Sequence, residues 1–465
     1  MPLFRFNPSE LAQKKVVVVG LGRTGVSVVK YLLSRGAHVT VSDVKSRMEL
    51  AEFVKQLTDL EVEYDLGRHN PKLLTQSDIV VLSPGVPSTL EGVHEAKQAG
   101  IPVINDFDLA APFLKAPIIA VTGTNGKTTT TTLIGEMLKA DGKNVFVGGN
   151  IGNPVLNMVL EGQAPDFIVL EVSSFQLEHT FEFKPNVAVF TNLEPDHLDR
   201  YPNGVESYYA AKRRLLQKAD KDTVLVTNFD NDAAARLADD FVGTALFFTR
   251  RNPMNIHASF AEKFKGAYYV RPRMHFKLPN SQHTFEMLTC KLPGDHNKEN
   301  LMAAALAAQA LGCSASAIQA VVSTFKGVPH RLEFVRKKDG VSFYNDSKAT
   351  NVASVLRSLS SFQSSIILIA GGRDKDQDFG PLVELVKKRV KNLILVGEAK
   401  EKINRVIGDF TETFLVGTFE EAVLLSYQKS RTGDVVLLSP SCASYDMFKS
   451  YEERGDYFKK LVSQL

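Results

Sequence analysis

Twice in its first 130 residues the chain runs a β-branched apolar strand directly into a glycine turn and then into a helix. Residues 16–19 lead into Gly20-Leu21-Gly22-Arg23-Thr24-Gly25, and residues 118–121 lead into Thr122-Gly123-Thr124-Asn125-Gly126-Lys127-Thr128. A buried strand followed by a tight turn and a helix is the opening of a βαβ unit, which commits a chain to a parallel sheet covered by helices. The pattern continues with strands at 39–42 and 79–82, then at 167–170, ending in Glu171, and 187–190, ending in Thr191-Asn192. A third α/β section opens near Val328-Pro329, with strands at 366–369, 393–396 and 435–438.

Between these, residues 248–293 change character, with basic residues, prolines and short alternating runs that predict an antiparallel excursion. The alanine-rich stretch 298–311, closed by Gly312, predicts a buried helix. A length of 465 residues fits roughly three domains. The expected architecture is α/β, with domains over 1–105, 106–327 and 328–465.

Composition limits the function classes. Fifty-five Lys plus Arg against 52 Asp plus Glu leave a formal charge of +3, too balanced for a dedicated nucleic-acid or membrane surface. The three cysteines, Cys290, Cys313 and Cys442, form no C-x-x-C pair, so neither a disulfide framework nor a structural zinc site is indicated. The N-terminus is broken by charges and Pro8, and no window approaches ~18 uninterrupted apolar residues. A complete cytoplasmic chain is the expectation.

The first turn, G-x-G-x-x-G with Asp43 closing the next strand, has the form of a dinucleotide fingerprint, its amides meeting a pyrophosphate and its carboxylate a ribose. It predicts those two groups without predicting a nicotinamide. The second turn, TGTNGKTT, offers backbone N–H groups and the Lys127 ammonium to triphosphate oxygens and the Thr128 hydroxyl to magnesium. It departs from the strict eight-residue P-loop, since Val121 stands where the first glycine would be.

Glu171 and the run Glu194-Pro195-Asp196-His197-Leu198-Asp199 supply oxygen and imidazole groups at strand ends, as metal ligands or as ordinary caps. Lys212, four residues after Tyr208 on a predicted helix over 206–216, reads from its surroundings as part of a solvated basic face. Polar turns at 294–300, 329–331 and 345–351 sit at domain edges, where ligand clefts form. Cys442 has no recognisable base partner and reads as a small buried thiol.

Taken in order, GLGRTG, SPGV, TGTNGKTT, GGNIG, EVSSFQLE, EPDHLDRY, YYAAKRRL, GDHNKEN, GVPHR, NDSKATN and SPSCASYDMF span essentially the whole chain. With them the chain resembles the ATP-dependent muramyl ligases of peptidoglycan synthesis, and among these the D-glutamate-adding members. The resemblance implies a Rossmann-like N-terminal domain, a central P-loop ATPase-like domain and a Rossmann-like C-terminal domain. It places Arg23, Thr24, Asp43, Lys45 and Gly85 around the UDP of UDP-N-acetylmuramoyl-L-alanine, with Asn150 and His197 nearer the muramoyl part. Gly123, Thr124, Asn125, Gly126, Lys127, Thr128 and Thr129 would hold ATP phosphates, with Asn300, Arg331 and Asp346 completing nucleotide recognition. Thr128 with Glu171 would hold one magnesium. His197 with Lys212, carried as a carbamate, would hold a second, and manganese could substitute. Lys348, Thr350 and Ser444 would receive the carboxylates of D-glutamate, walled by Tyr445 and Tyr451.

The implied reaction is activation of the alanyl carboxylate as an acyl phosphate and its capture by the amine of D-glutamate, with Lys127, Glu171, His197, Lys212 and Lys348 as the catalytic set. A monomer is expected, with no nucleic-acid partner, whose third domain swings in over ATP to exclude water. A nicotinamide-dependent oxidoreductase would leave the ATP loop unexplained. An ATP-driven switch would have no use for Lys212 or NDSKAT, and a folylpolyglutamate synthetase would not need the N-terminal nucleotide domain.

Overall fold

The computed structural model describes residues 10–87, 89–197, 200–201, 203–256, 262–279, 281–292, 294–374 and 376–465. The chain forms two compact units, one of Met1–Leu288 with Lys298–Val322, the other of Thr289–Asn297 with Ser323–Leu465.

The first unit contains two sheets. In the first, β1 (Lys15–Val19), β2 (His38–Asp43), β3 (Val62–Leu66), β4 (Ile79–Leu82) and β5 (Val103–Ile104) run parallel in the order β3-β2-β1-β4-β5. Residues 16–19 are all buried because helices cover both faces, which is why an uninterrupted valine run suits this strand. The strand order reverses at β1 and β4, so a crevice opens at their carboxyl ends between the two following loops.

The second sheet has nine strands: β6 (Ile118–Thr122), β7 (Val145–Gly149), β8 (Phe167–Glu171), β9 (Val187–Phe190), β10 (Val224–Asn228), β11 (Thr244–Thr249), β12 (Gly266–Val270), β13 (Arg273–Leu278) and β14 (Ser281–Glu286). Their order is β14-β13-β12-β11-β10-β9-β6-β8-β7. The antiparallel excursion expected from residue 248 begins later. β11 and β12 still pair in parallel, and only β12–β13 and β13–β14 reverse. Phe248 is wholly buried on an interior strand, so the basic residues after it belong to the connection. Pro293, the expected end of the excursion, lies outside the described residues.

The two sheets share one apolar core, running from Leu11, Val16 and Val18 through Phe107 and Phe146 to Leu237. At the joint, the Asn105 side chain accepts from the N–H groups of Phe107 and Asp108, capping helix Asp106–Ala110. Its amide donates to Gln176 O and Thr180 Oγ1. Asp108 Oδ1 accepts from the N–H groups of Phe181 and Glu182.

The second unit holds one six-stranded sheet: β15 (Glu333–Lys338), β16 (Val341–Asn345), β17 (Ile366–Gly371), β18 (Val390–Val396), β19 (Glu412–Leu415) and β20 (Val435–Ser441), ordered β15-β16-β20-β17-β18-β19. Only β15 is antiparallel to its neighbour. Separate apolar clusters cover its two faces, as a doubly wound sheet requires. The loops after β16 and β20 emerge side by side, since these strands are paired. No helix among the described residues is long and apolar enough to cross a membrane.

Asp106 is fully enclosed in the joint, and burial, reinforced by Asp108, raises its carboxyl to about 7. A carboxyl raised above its unfolded value favours folding while protonated, and that advantage is lost as pH rises through the folded value. Between pH 4 and pH 8 the protein should lose on the order of 3 kcal/mol of stability at this residue that Asp106→Asn does not lose. Urea titrations of both proteins at the two pH values test this; an equal stability difference at each pH would show that Asp106 does not titrate in that range.

Candidate functional site

At the first crevice, Ser83 Oγ after β4 donates to Gly20 O, holding the glycine turn after β1. Helix Arg23–Ser34 begins at Gly22 with no side-chain cap, so its first amides remain available to an anion. Arg23, Lys45 and Gly85 are exposed at this rim and Thr24 is half-buried. Asp43 closes β2 and is buried. Its Oδ2 accepts from Leu21 N–H at 2.8 Å and its Oδ1 from Lys45 N–H at 2.9 Å, so the carboxylate braces the turn.

The second turn joins β6 to helix Lys127–Ala140 and is gripped from outside by the segment after β9. Thr124 N–H donates to Asn192 O and Asn125 N–H to Asn192 Oδ1, both at 2.9 Å. Asn125 Nδ2 donates to Glu194 Oε2, and Thr124 Oγ1 to Glu194 O, both at 3.0 Å. Gly126 caps the helix at φ 83°, and a Cβ there would stand 2.3 Å from Asn300 Oδ1. Asn300 thus lies against the loop and accepts from Thr130 Oγ1, 170 residues before it. Lys127 Nζ folds back onto Gly123 O and Thr124 O at 3.0 and 2.9 Å. Thr128 and Thr129 are buried in the first helical turn.

Lys212 overturns the expectation of a solvated basic face. Helix Val205–Arg213 carries it inward to 2 % exposure, where its Nζ donates to Gly123 O at 2.8 Å and lies over the Tyr208 ring. Burial, with the charge of Lys127, pushes its amine well below the usual lysine range, against the pull of Asp196 and Glu171. The helix gives way at Arg214 to a single 3-10 turn, Arg214–Leu216. Glu171, at the end of β8, is buried; its Oε1 accepts from Asn150 Nδ2 at 2.8 Å, while its Oε2 is enclosed without a hydrogen-bond partner. His197 stands at φ 52° on the exposed rim, edge-on to Phe175 and Tyr208. Leu198 and Asp199 of the same run lie outside the described residues.

In the second unit, Asp346 is buried and its carboxyl is raised to about 6 by burial, against three donors: Ser358 Oγ, Ser439 Oγ and Leu332 N–H. Arg331 Nε is buried without a hydrogen-bond partner. Lys348 Nζ lies over the Tyr451 ring, whose edge meets His330. Ser444 is buried near the start of the loop after β20. Thr350 joins that loop through Gln377, whose amide donates to Thr350 O and Ser441 O. Tyr445 is 61 % exposed and turned out to solvent, unlike Tyr451. Cys442 is fully buried and its thiol pushed up to about 12 by that burial, which fits a structural role.

Sequence models of the Mur ligase MurD-like N-terminal domain, the Mur ligase middle domain and the Mur ligase glutamate ligase domain match residues 14–105, 121–308 and 330–442. A UDP-N-acetylmuramoylalanine--D-glutamate ligase of Bdellovibrio bacteriovorus is 47% identical over 98% of both chains, and one of Geotalea uraniireducens 45% identical over the same share. The chain belongs to the Mur ligases.

Among solved structures, a UDP-N-acetylmuramate-alanine ligase of Thermotoga maritima is similar in fold, with a TM-score of 0.58 at 18% identity, covering 97% of this chain and 99% of its own. A pseudomurein peptide ligase type C of Methanothermus fervidus gives 0.57 at 21%, covering 97% and 100%.

Two positions in this Mur ligase escaped sequence reasoning. Arg200, inside the EPDHLDRY run, donates to Pro84 O and Val86 O on either side of Gly85 and lies 3.9 Å from the Phe175 ring centroid. Arg454 had no signal beyond a charged residue on a helix, yet it is 1 % exposed.

Among the described residues the enclosed Lys212 Nζ donates to one acceptor, Gly123 O, which Lys127 also serves, and it sits in the field of that second ammonium. Replacing a buried amine that no ion pair holds among the described residues by an apolar side chain of similar length removes its desolvation penalty. Lys212→Met should therefore stabilise the nucleotide-free protein by on the order of 1–3 kcal/mol in urea titrations. A destabilised variant would mean that the ammonium is a net structural asset.

Proposed function

We propose that this Mur ligase joins D-glutamate to UDP-N-acetylmuramoyl-L-alanine with hydrolysis of ATP to ADP and phosphate, in peptidoglycan precursor synthesis. The observation that carries this reading is 47% identity across 98% of the chain to a ligase named for that reaction. The two anion-binding turns in the first unit support it, because the reaction needs one cradle for a UDP-sugar and another for ATP.

We assign Arg23, Thr24, Asp43, Lys45 and Gly85 to the UDP moiety and Asn150 and His197 to the muramoyl end. Residues 123–129 and Asn300 are assigned to ATP, with Arg331 and Asp346 completing nucleotide recognition. Lys348, Thr350, Ser444, Tyr445 and Tyr451 are assigned to D-glutamate.

A carboxylate is a poor acyl donor, and phosphorylation makes it one. Lys127 would leave the carbonyls of Gly123 and Thr124 for the phosphate oxygens, holding charge that builds on the transferred phosphoryl group. Lys348 would orient a carboxylate of D-glutamate so that its amine meets the acyl carbon.

The residues present fit magnesium. Glu171 Oε2 is a buried carboxylate oxygen without a partner, and the Thr128 hydroxyl is the hard oxygen donor that a P-loop helix offers a divalent cation. Lys212 fits only as an anion, since an ammonium repels a divalent cation; carried as a carbamate it supplies oxygen donors beside His197. Magnesium, when bound, neutralises phosphoryl charge.

ATP, magnesium and UDP-N-acetylmuramoyl-L-alanine offered a panel of D- and L-amino acids should release phosphate with D-glutamate at least about 100-fold faster than with L-glutamate, because polar groups that fit one carboxylate geometry are left unpaired by the other. Equal rates would end the assignment to D-glutamate. In Lys212→Ala, activity should return with short-chain carboxylic acids and not with bicarbonate; full activity without additive would remove Lys212 from the mechanism.

A further inference from the structure

Arg454 is the largest fully buried side chain of the described residues, and among these no carboxylate forms an ion pair with it. All its hydrogen bonds go to two loops. Nε donates to Ser347 Oγ at 3.0 Å and Nη2 to Ser347 O at 2.9 Å. Nη2 also donates to Cys442 O at 3.2 Å, and Nη1 to Ala443 O at 3.3 Å. Ser347 Oγ in turn donates to Tyr451 O at 2.8 Å, at the start of the helix Tyr451–Gln464 that carries the arginine.

Three of these four residues adjoin or belong to the set assigned above to D-glutamate. Ser347 precedes Lys348, Ala443 precedes Ser444, and Tyr451 is itself a bonded residue. The loop after β20 also needs restraint, because Ser441 stands at φ 61°, a left-handed conformation that a serine adopts at a cost. The next residue, Gly455, lets the helix approach closely: a Cβ there would lie 2.2 Å from His330 Nδ1. Asp446 attracts the guanidinium without forming an ion pair with it, so enclosing it is costly, and a lysine could not serve these divergent acceptors, since only the planar fork reaches both loops at once.

We propose that Arg454 is a positioning residue for D-glutamate, holding the loops after β16 and β20 and the head of the last helix at the spacing that lets Lys348, Ser444 and Tyr451 act on one amino acid. This rests on the assignment of those residues to D-glutamate. Arg454 touches no reacting atom; it acts through the backbone of its neighbours.

The test is steady-state kinetics of the full-length enzyme with each substrate varied in turn. Arg454→Lys should raise the KM for D-glutamate at least about tenfold, with the KM for ATP and for the UDP-sugar within about twofold of wild type, in protein whose circular dichroism and melting temperature show it folded. An unchanged D-glutamate KM in folded Arg454→Lys, or all three KM values moving together, overturns the proposal. Should Arg454→Lys not fold, Ser347→Ala decides, since it removes one acceptor and leaves the arginine: a D-glutamate KM raised about threefold alone supports the clamp, and an unchanged one overturns it. Ser444→Ala separates the two layers. If it weakens D-glutamate while Arg454→Lys does not, the clamp fails and the D-glutamate assignment stands; if the wild-type enzyme does not use D-glutamate, both fall.

Discussion

The carbonyl of Gly123 receives two ammonium groups, from Lys127 within its own loop and from Lys212, 89 residues on. Much of the first unit is organised around that convergence. It requires the β6–helix turn to present its carbonyl inward, the helix Val205–Arg213 to bring a lysine to full burial, and the segment after β9 to grip the loop from the other side through Asn192 and Glu194. Two amino groups on one acceptor, Lys212 fully buried and Lys127 half-buried, are a poor arrangement for stability. They suit a site that receives polyphosphate and a divalent cation, where anionic oxygens replace the shared carbonyl.

The same trade recurs elsewhere. Glu171 leaves one carboxylate oxygen enclosed without a partner, Arg331 leaves Nε so, and Ser441 holds a left-handed backbone with its hydroxyl unpaired. Such groups are expensive to bury, and Glu171 and Arg331 are among the residues assigned above to ligands. The rigid part is the sheet, and the polar ends of its strands carry the chemistry.

Arg454 and Gln377 show how two loops on neighbouring strands become one surface. Strands β16 and β20 are paired in parallel, so their carboxyl ends lie side by side by topology alone. Adjacency of strand ends sets the loops within reach but not their spacing. Side chains from elsewhere, one on the last helix and one in the segment after β17, bridge them.

Much was legible in the sequence because it was local. Apolar runs ending in glycine turns predicted β1 and β6, the Lys127–Ala140 helix and the parallel class, since burial on both faces imposes a continuous apolar strand and a tight turn admits few residues. The order of the polar motifs along the chain was enough to recognise the family. What the sequence could not determine is which polar groups are enclosed. Lys212 looks like one of several basic residues on a surface helix, and Arg454 like another; only the packing of distant segments removes them from water. Asp43 and Asn300 likewise gained bracing contacts with loops far away in sequence. Burial is a sum over neighbours that the fold brings together, so the charge of a residue is written in the sequence while its environment, and the chemistry that follows, belongs to the tertiary structure.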